Sequence, residues 1–122
     1  MSARVLIVED EALLAIDLAS VLEDAGFEVV GPATSVTQAL KLVDGPGCDF
    51  AILDVNLHDE TSEMVAVALR KQGTPFVFLT GISKDHALSW FGDVTILAKP
   101  ARSETIIDAV QRRISVGQAR DT

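Results

Sequence analysis

Val5-Leu6-Ile7-Val8-Glu9-Asp10 sets four apolar residues, three of them β-branched, directly against two carboxylates. A short unbroken apolar run is the pattern of a strand buried on both faces, because a strand with one wet face would alternate. Phe50-Ala51-Ile52-Leu53-Asp54 repeats the device, again an apolar run stopped by an acid. Residues 75–79 and 94–98 supply two more runs, followed by Thr80 and Lys99. A fifth, at 28–31, is expected to end at Pro32.

Between these runs the apolar period changes to that of a helix. Over residues 11–25, Leu14, Leu18, Val21, Leu22 and Ala25 recur at helical spacing, and Gly26 is a plausible stop. Ser35-Val36-Thr37-Gln38 has the form of a capping box, opening a helix with Val36, Ala39, Leu40 and Val43 on one face. A third helix is expected over 61–71 with Met64, Val65, Ala68 and Leu69 inward. The last should begin near Ser103 with Ile106, Ile107, Val110 and Ile114 inward, leaving 115–122 as a frayed tail. Residues 82–93 carry no clear stripe, so a fourth helix there should be short or mobile. Strand and helix alternating five times predict an α/β domain, a doubly wound five-stranded parallel sheet with helices on both faces. One domain is expected over 1–122, with its core at about 3–115.

Composition narrows the function. Ten Lys+Arg against eighteen Asp+Glu give a formal charge of −8, which disfavours nucleic acid and an anionic membrane surface as partners. Cys48 is the single cysteine, which excludes an intrachain disulfide and fits a cytoplasmic location. The charge-free stretches at 29–40 and 72–83 are too short to span a bilayer.

In a doubly wound sheet, ligands bind beyond the carboxyl ends of the strands. Those ends carry Glu9 and Asp10, Asp54, Thr80 and Lys99. Crowded carboxylates need a proton or a cation, and Mg2+ suits such a set because it accepts a few carboxylates and keeps several waters. One carboxylate can then act as a nucleophile while Lys99 and Thr80 stabilise charge on a transferred group, the parts that in-line phosphoryl transfer needs.

Val8-Glu9-Asp10-Glu11, Ile52-Leu53-Asp54-Val55-Asn56-Leu57, Thr80-Gly81 and Ala98-Lys99-Pro100 resemble the markers of the receiver domain of two-component response regulators. The resemblance spans nearly the whole chain and implies the flavodoxin-like (CheY-like) strand order 2-1-3-4-5. It implies Asp54 as the phosphoacceptor, charged by a phosphohistidine on a sensor histidine kinase or a histidine phosphotransfer protein. Asp10 and Asp54 would ligate Mg2+ directly, the Asn56 backbone carbonyl would be a third ligand, and Glu9, where many members have Asp, would hold the ion through water. Thr80 would hydrogen-bond the phosphoryl oxygen and Lys99 would pair with it. The Lys99–Pro100 bond is typically cis in such domains.

Pro75-Phe76-Val77-Phe78-Leu79-Thr80-Gly81 is similar to a run in the single-domain FAT GUY subgroup, with Leu79 for their Ala and Ser83 for their Tyr. Two other positions depart from the wider family. Ile96 stands where most receivers carry an aromatic switch residue, and the usual Pro and Gly are missing from Leu57-His58-Asp59-Glu60-Thr61-Ser62.

Taken singly, each marker has a plainer reading: a helix cap for Glu9-Asp10, an Asx turn for Asp54, a backbone partner for Thr80, a surface charge for Lys99. Their coincidence at four strand ends favours the receiver reading. His58 lies near enough to the acceptor loop to touch phosphate, while Cys48 and His86 read as bland. Trp90-Phe91 reads as a core anchor or an interface. The expectation is a stand-alone, non-enzymatic receiver acting on a downstream protein or as a phosphate sink. A small Mg2+-dependent phosphatase using Asp54 is the rival, although such enzymes usually have an acid where Asn56 stands. A flavodoxin-like electron carrier would need a phosphate loop after the first strand, and none is there.

Overall fold

A computed structural model describes residues 2–81 and 94–121, the last seven of these by backbone alone. The strands are β1 (Arg4–Val8), β2 (Glu28–Ala33), β3 (Phe50–Asp54), β4 (Asn56–Leu57), β5 (Glu60–Thr61), β6 (Phe76–Thr80) and β7 (Thr95–Ala98). The helices among the described residues are α1 (Ala12–Asp24), α2 (Val36–Asp44), α3 (Glu63–Gln72) and α4 (Ser103–Asp121). Five strands form one parallel sheet in the order β2-β1-β3-β6-β7, while β4 and β5 make a separate antiparallel hairpin. Counted over the large sheet alone, this is the expected order 2-1-3-4-5. The fourth helix expected within 82–93 lies outside the described residues.

The unbroken apolar runs fill both faces of the sheet. On one face Leu6, Val8, Ala51, Leu53 and Phe78 meet Ala39 and Val43 of α2 and Val65, Ala66 and Leu69 of α3. On the other, Val5, Ile7, Phe50 and Ile52 meet Leu18 and Leu22 of α1 and Ile106 and Val110 of α4. Alternate residues of one strand thus serve two cores, which is why no polar residue interrupts β1 after Arg4 or β3 before Asp54.

Several boundaries depart from the sequence reading. Pro32 does not end β2, which continues to Ala33 through a register shift opposite Leu6 and Val8. A proline is tolerated there because β2 is an outer strand of the sheet. Gly31, at φ +92°, turns that irregularity, and a Cβ on it would lie 2.7 Å from the Ala33 amide nitrogen. The third helix starts at Glu63 rather than Thr61, because β4 and β5 take the residues before it. Met64 then falls off the buried stripe of Val65, Ala66 and Leu69 and is 60% exposed, not inward. On α1 the buried set is Ala15, Leu18 and Leu22, with Leu14 exposed and Val21 only half-buried. In place of a frayed tail from Ser115, the backbone of α4 stays helical to Asp121. A nucleated helix gains one bond for each residue it fixes, so extension is easy once Ile106 and Val110 anchor the first turns.

Candidate phosphoacceptor and metal site

Parallel pairing sets the strand ends side by side. Val8 lies opposite Leu53, Asp54 opposite Leu79, and Thr80 opposite Ala98. The residues that follow β1 and β7 therefore arrive at the same rim as the last residues of β3 and β6. The Lys99 amide donates to the Thr80 carbonyl at 2.9 Å and carries that pairing one residue further. The Lys99–Pro100 peptide is cis, as the resemblance implies.

At this rim one oxygen from each of Glu9, Asp10 and Asp54 lies within 4.8 Å of the others. Glu9 and Asp54 are buried and Asp10 is half-buried. The Lys99 ammonium enters between two of them, donating to Glu9 Oε1 at 2.8 Å and to Asp54 Oδ2 at 3.1 Å. Glu9 Oε2 accepts the Glu11 amide at 3.2 Å. The Asn56 amide points at Asp54 Oδ1 over 3.4 Å, and Asn56 is half-buried. Thr80 is buried at the end of β6.

Charge here is unbalanced. Burial pushes the Glu9 carboxyl up to about 7, and the neighbouring Asp54 adds to the rise against the pull of Lys99. Burial by itself would lower the Lys99 pKa, but its hydrogen bonds to Glu9 and Asp54 outweigh that and hold it above the usual value. Three carboxylates facing one ammonium make an all-oxygen, electron-rich set that fits a small hard cation.

The sequence-derived residues Glu9, Asp10, Asp54, Thr80, Lys99 and Asn56 thus come to one edge of the sheet. What sequence reasoning missed is the hairpin β4–β5 standing over it. Its tip brings the His58 amide to Asp10 Oδ2 at 2.8 Å and the His58 Nδ1 to 3.3 Å from the same oxygen. The ring itself is exposed. Its one local signal is His58-Asp59, a pair of residues tolerant of turn geometry, with His58 at φ 45°. Beside the site a groove of about 340 Å³ runs between α1 and the start of α4, lined by Leu14, Asp17, Leu79, Lys99 and Ala101 among others.

A five-stranded parallel sheet in this order, with acids, a threonine and a lysine on its carboxyl rim, defines the receiver class of signalling domain. The chain belongs to the response regulator receiver domain family, whose profile matches residues 5–111. It is 33% identical over 120 residues to the transcriptional regulatory protein PdtaR of Mycobacterium tuberculosis, covering 92% of this chain and 57% of that one. It is 36% identical over 85 residues to the phyllosphere-induced regulator PhyR of Methylorubrum extorquens, covering 66% of this chain and 31% of that one. The chain therefore spans between about a third and somewhat over half of these curated relatives. A receiver protein of Sinorhizobium medicae superposes with a TM-score of 0.85 at 28% identity, covering 93% of this chain and 95% of that one. No helix among the described residues is long and apolar enough to cross a membrane.

Proposed function

We propose that this receiver domain takes a phosphoryl group onto Asp54 from a phosphohistidine of a sensor kinase or phosphotransfer protein. The observation that carries the reading is the Lys99 bridge between Glu9 and Asp54 on the same rim as Thr80. An oxygen of the Asp54 carboxylate attacks phosphorus in line, the P–N bond to imidazole breaks, and the imidazole leaves with that electron pair and takes a proton. The product is an acyl phosphate on Asp54. Lys99 meets the charge of the phosphoryl oxygens, and Thr80 donates a hydrogen bond to one of them.

Mg2+ fits the donor set; the Asp10 and Asp54 carboxylates and the Asn56 carbonyl would hold it, with Glu9 acting through water. Bound there, it would offset the negative charge of Asp54, which adds to the effect of burial in raising Glu9, and would polarise the transferred group. The phosphodonor's docking surface is the groove beside Lys99 together with Leu13 and Ile16, which are 81% and 64% exposed on α1. A helix carrying the donor histidine can seat apolar residues there while its imidazole reaches Asp54. Output passes by protein contact, or the domain drains phosphate from its donor.

Incubation with phosphorylated histidine kinases from the host tests the proposal. Label should move to the wild-type chain in the presence of Mg2+ and not to Asp54→Asn. Steady hydrolysis of small phosphate esters without any kinase would favour a phosphatase instead.

A further inference from the structure

The segment after Asp54 is a hairpin fastened at two points. At its tip, the His58 amide donates to Asp10 Oδ2 at 2.8 Å. On its return strand, Glu60 pairs with Leu57 and accepts the Val36 amide through Oε2 at 3.0 Å. Val36 opens α2, and its amide is one of the donors that a helix leaves without an internal acceptor. That turn is also fastened by Ser35, whose hydroxyl accepts the Gln38 amide at 3.2 Å, and by Gln38, whose Oε1 accepts the Thr34 amide at 2.9 Å. A carboxylate at this position gains both a charge-assisted hydrogen bond and the favourable end of the helix dipole.

The turn that carries Val36 also grips the first acidic loop. The Ala33 carbonyl accepts the Glu9 amide at 2.9 Å. Residues 33–36 therefore hold the Glu9–Asp10 loop through a carbonyl and the hairpin through an amide. The His58–Asp10 bond closes the circuit directly between loop and hairpin. The Pro and Gly that usually shape this segment are missing here, and Glu60 supplies an external tie in a chain without them.

We propose that Glu60 is a positioning residue. By clamping the hairpin to the start of α2, it holds Asn56 and Asp10 in register with Asp54 for the cation. This rests on the cation site argued above. A residue that merely capped α2 would support that helix and leave the hairpin tip and cation affinity alone.

Amide hydrogen exchange on the metal-free full chain, followed by a Mg2+ titration read by calorimetry, separates the two. The variants are Glu60→Ala, Glu60→Gln, which keeps an acceptor oxygen, and Ser35→Ala, which loosens α2 without touching the hairpin. Glu60→Ala should speed exchange of the His58 amide about fivefold and weaken Mg2+ binding by a similar factor, on the scale of one hydrogen bond. Glu60→Gln should restore most of both, and Ser35→Ala should move neither. Wild-type behaviour in Glu60→Ala, or the same change in Ser35→Ala, overturns the proposal. Should the wild type itself fail to bind Mg2+ at millimolar concentration, the cation reading falls, and unchanged His58 exchange would still be what refutes the clamp.

Discussion

At the scale of single residues, the energetics centre on Glu9 and Lys99. Folded Glu9 titrates at about 7 against an ordinary 4.5, so between those values the folded state binds more protons than the unfolded one. Stability of the metal-free protein should therefore fall as pH rises through that window, with the full penalty present above it. Lys99 acts in the same sense, since its raised pKa also makes the folded state bind more protons, but its window lies above 10.5 and outside the range in which Glu9 titrates. Urea melts at a series of pH values should show the decline in wild type and a flatter profile in Glu9→Gln; parallel profiles would contradict it. From the sequence, Lys99→Ala reads as a change worth about 1 kcal/mol, the cost of losing a surface pair. The structure corrects that, because Lys99 is the hydrogen-bonded partner of buried Glu9 and Asp54. Removing it should cost about 3 kcal/mol at pH 8 and less near pH 5, where Glu9 can take a proton. A melt within 1 kcal/mol of wild type at pH 8 would restore the surface-pair reading. Asp10, Asp54, Thr80 and Lys99 were legible because each ends or follows an apolar run. The ties of His58 to Asp10 and of Glu60 to Val36 were not, because each joins residues far apart in sequence.

At the scale of elements, the strands were easier to read than the helix faces. The cores on both sides of β1 and β3 leave a simple apolar run, whereas Met64 and Leu14 had the right chemistry and the wrong azimuth. Pro32 misled for a physical reason: a proline terminates a central strand but is accommodated in an outer one. The hairpin was hidden because Asn56-Leu57 and Glu60-Thr61 are each too short to show a period. Ser62, between the hairpin and α3, is buried, and its Oγ has no hydrogen-bond partner among the described residues. It makes no side-chain cap for α3. Ser62→Ala removes a polar group that folding desolvates without compensation and should stabilise the protein by about 1 kcal/mol. A loss of stability of that size in urea unfolding would show that the hydroxyl is satisfied in solution. Gly31→Ala should cost about 1–3 kcal/mol, because its φ and the nearby Ala33 nitrogen both oppose a side chain.

At the scale of the molecule, the fold gathers separate loops into one acidic rim and leaves that rim short of positive charge. A cation that binds only the folded state stabilises it by about 2.7 kcal/mol at a hundred times its dissociation constant. The wild-type melting temperature should rise with Mg2+, and Asp10→Ala should lose most of that rise. An Mg2+-independent melt would count against the site. How phosphorylation would reach a partner is open to a different test. Ile96 is half-buried and packs against the core on the α2–α3 side, and a β-branched side chain has few rotamers to exchange. Residues 82–93, where a short or mobile fourth helix is expected, lie outside the described residues. The central claim is that Asp54 is the acceptor, and borohydride trapping addresses it at the atom concerned. Reduction of an aspartyl phosphate gives homoserine at the phosphorylated position, which peptide sequencing by mass spectrometry locates. After treatment with acetyl phosphate and Mg2+, homoserine should appear at position 54 and nowhere else in the wild-type chain. Homoserine at position 10, or stoichiometric phosphate on Asp54→Asn, would contradict the account.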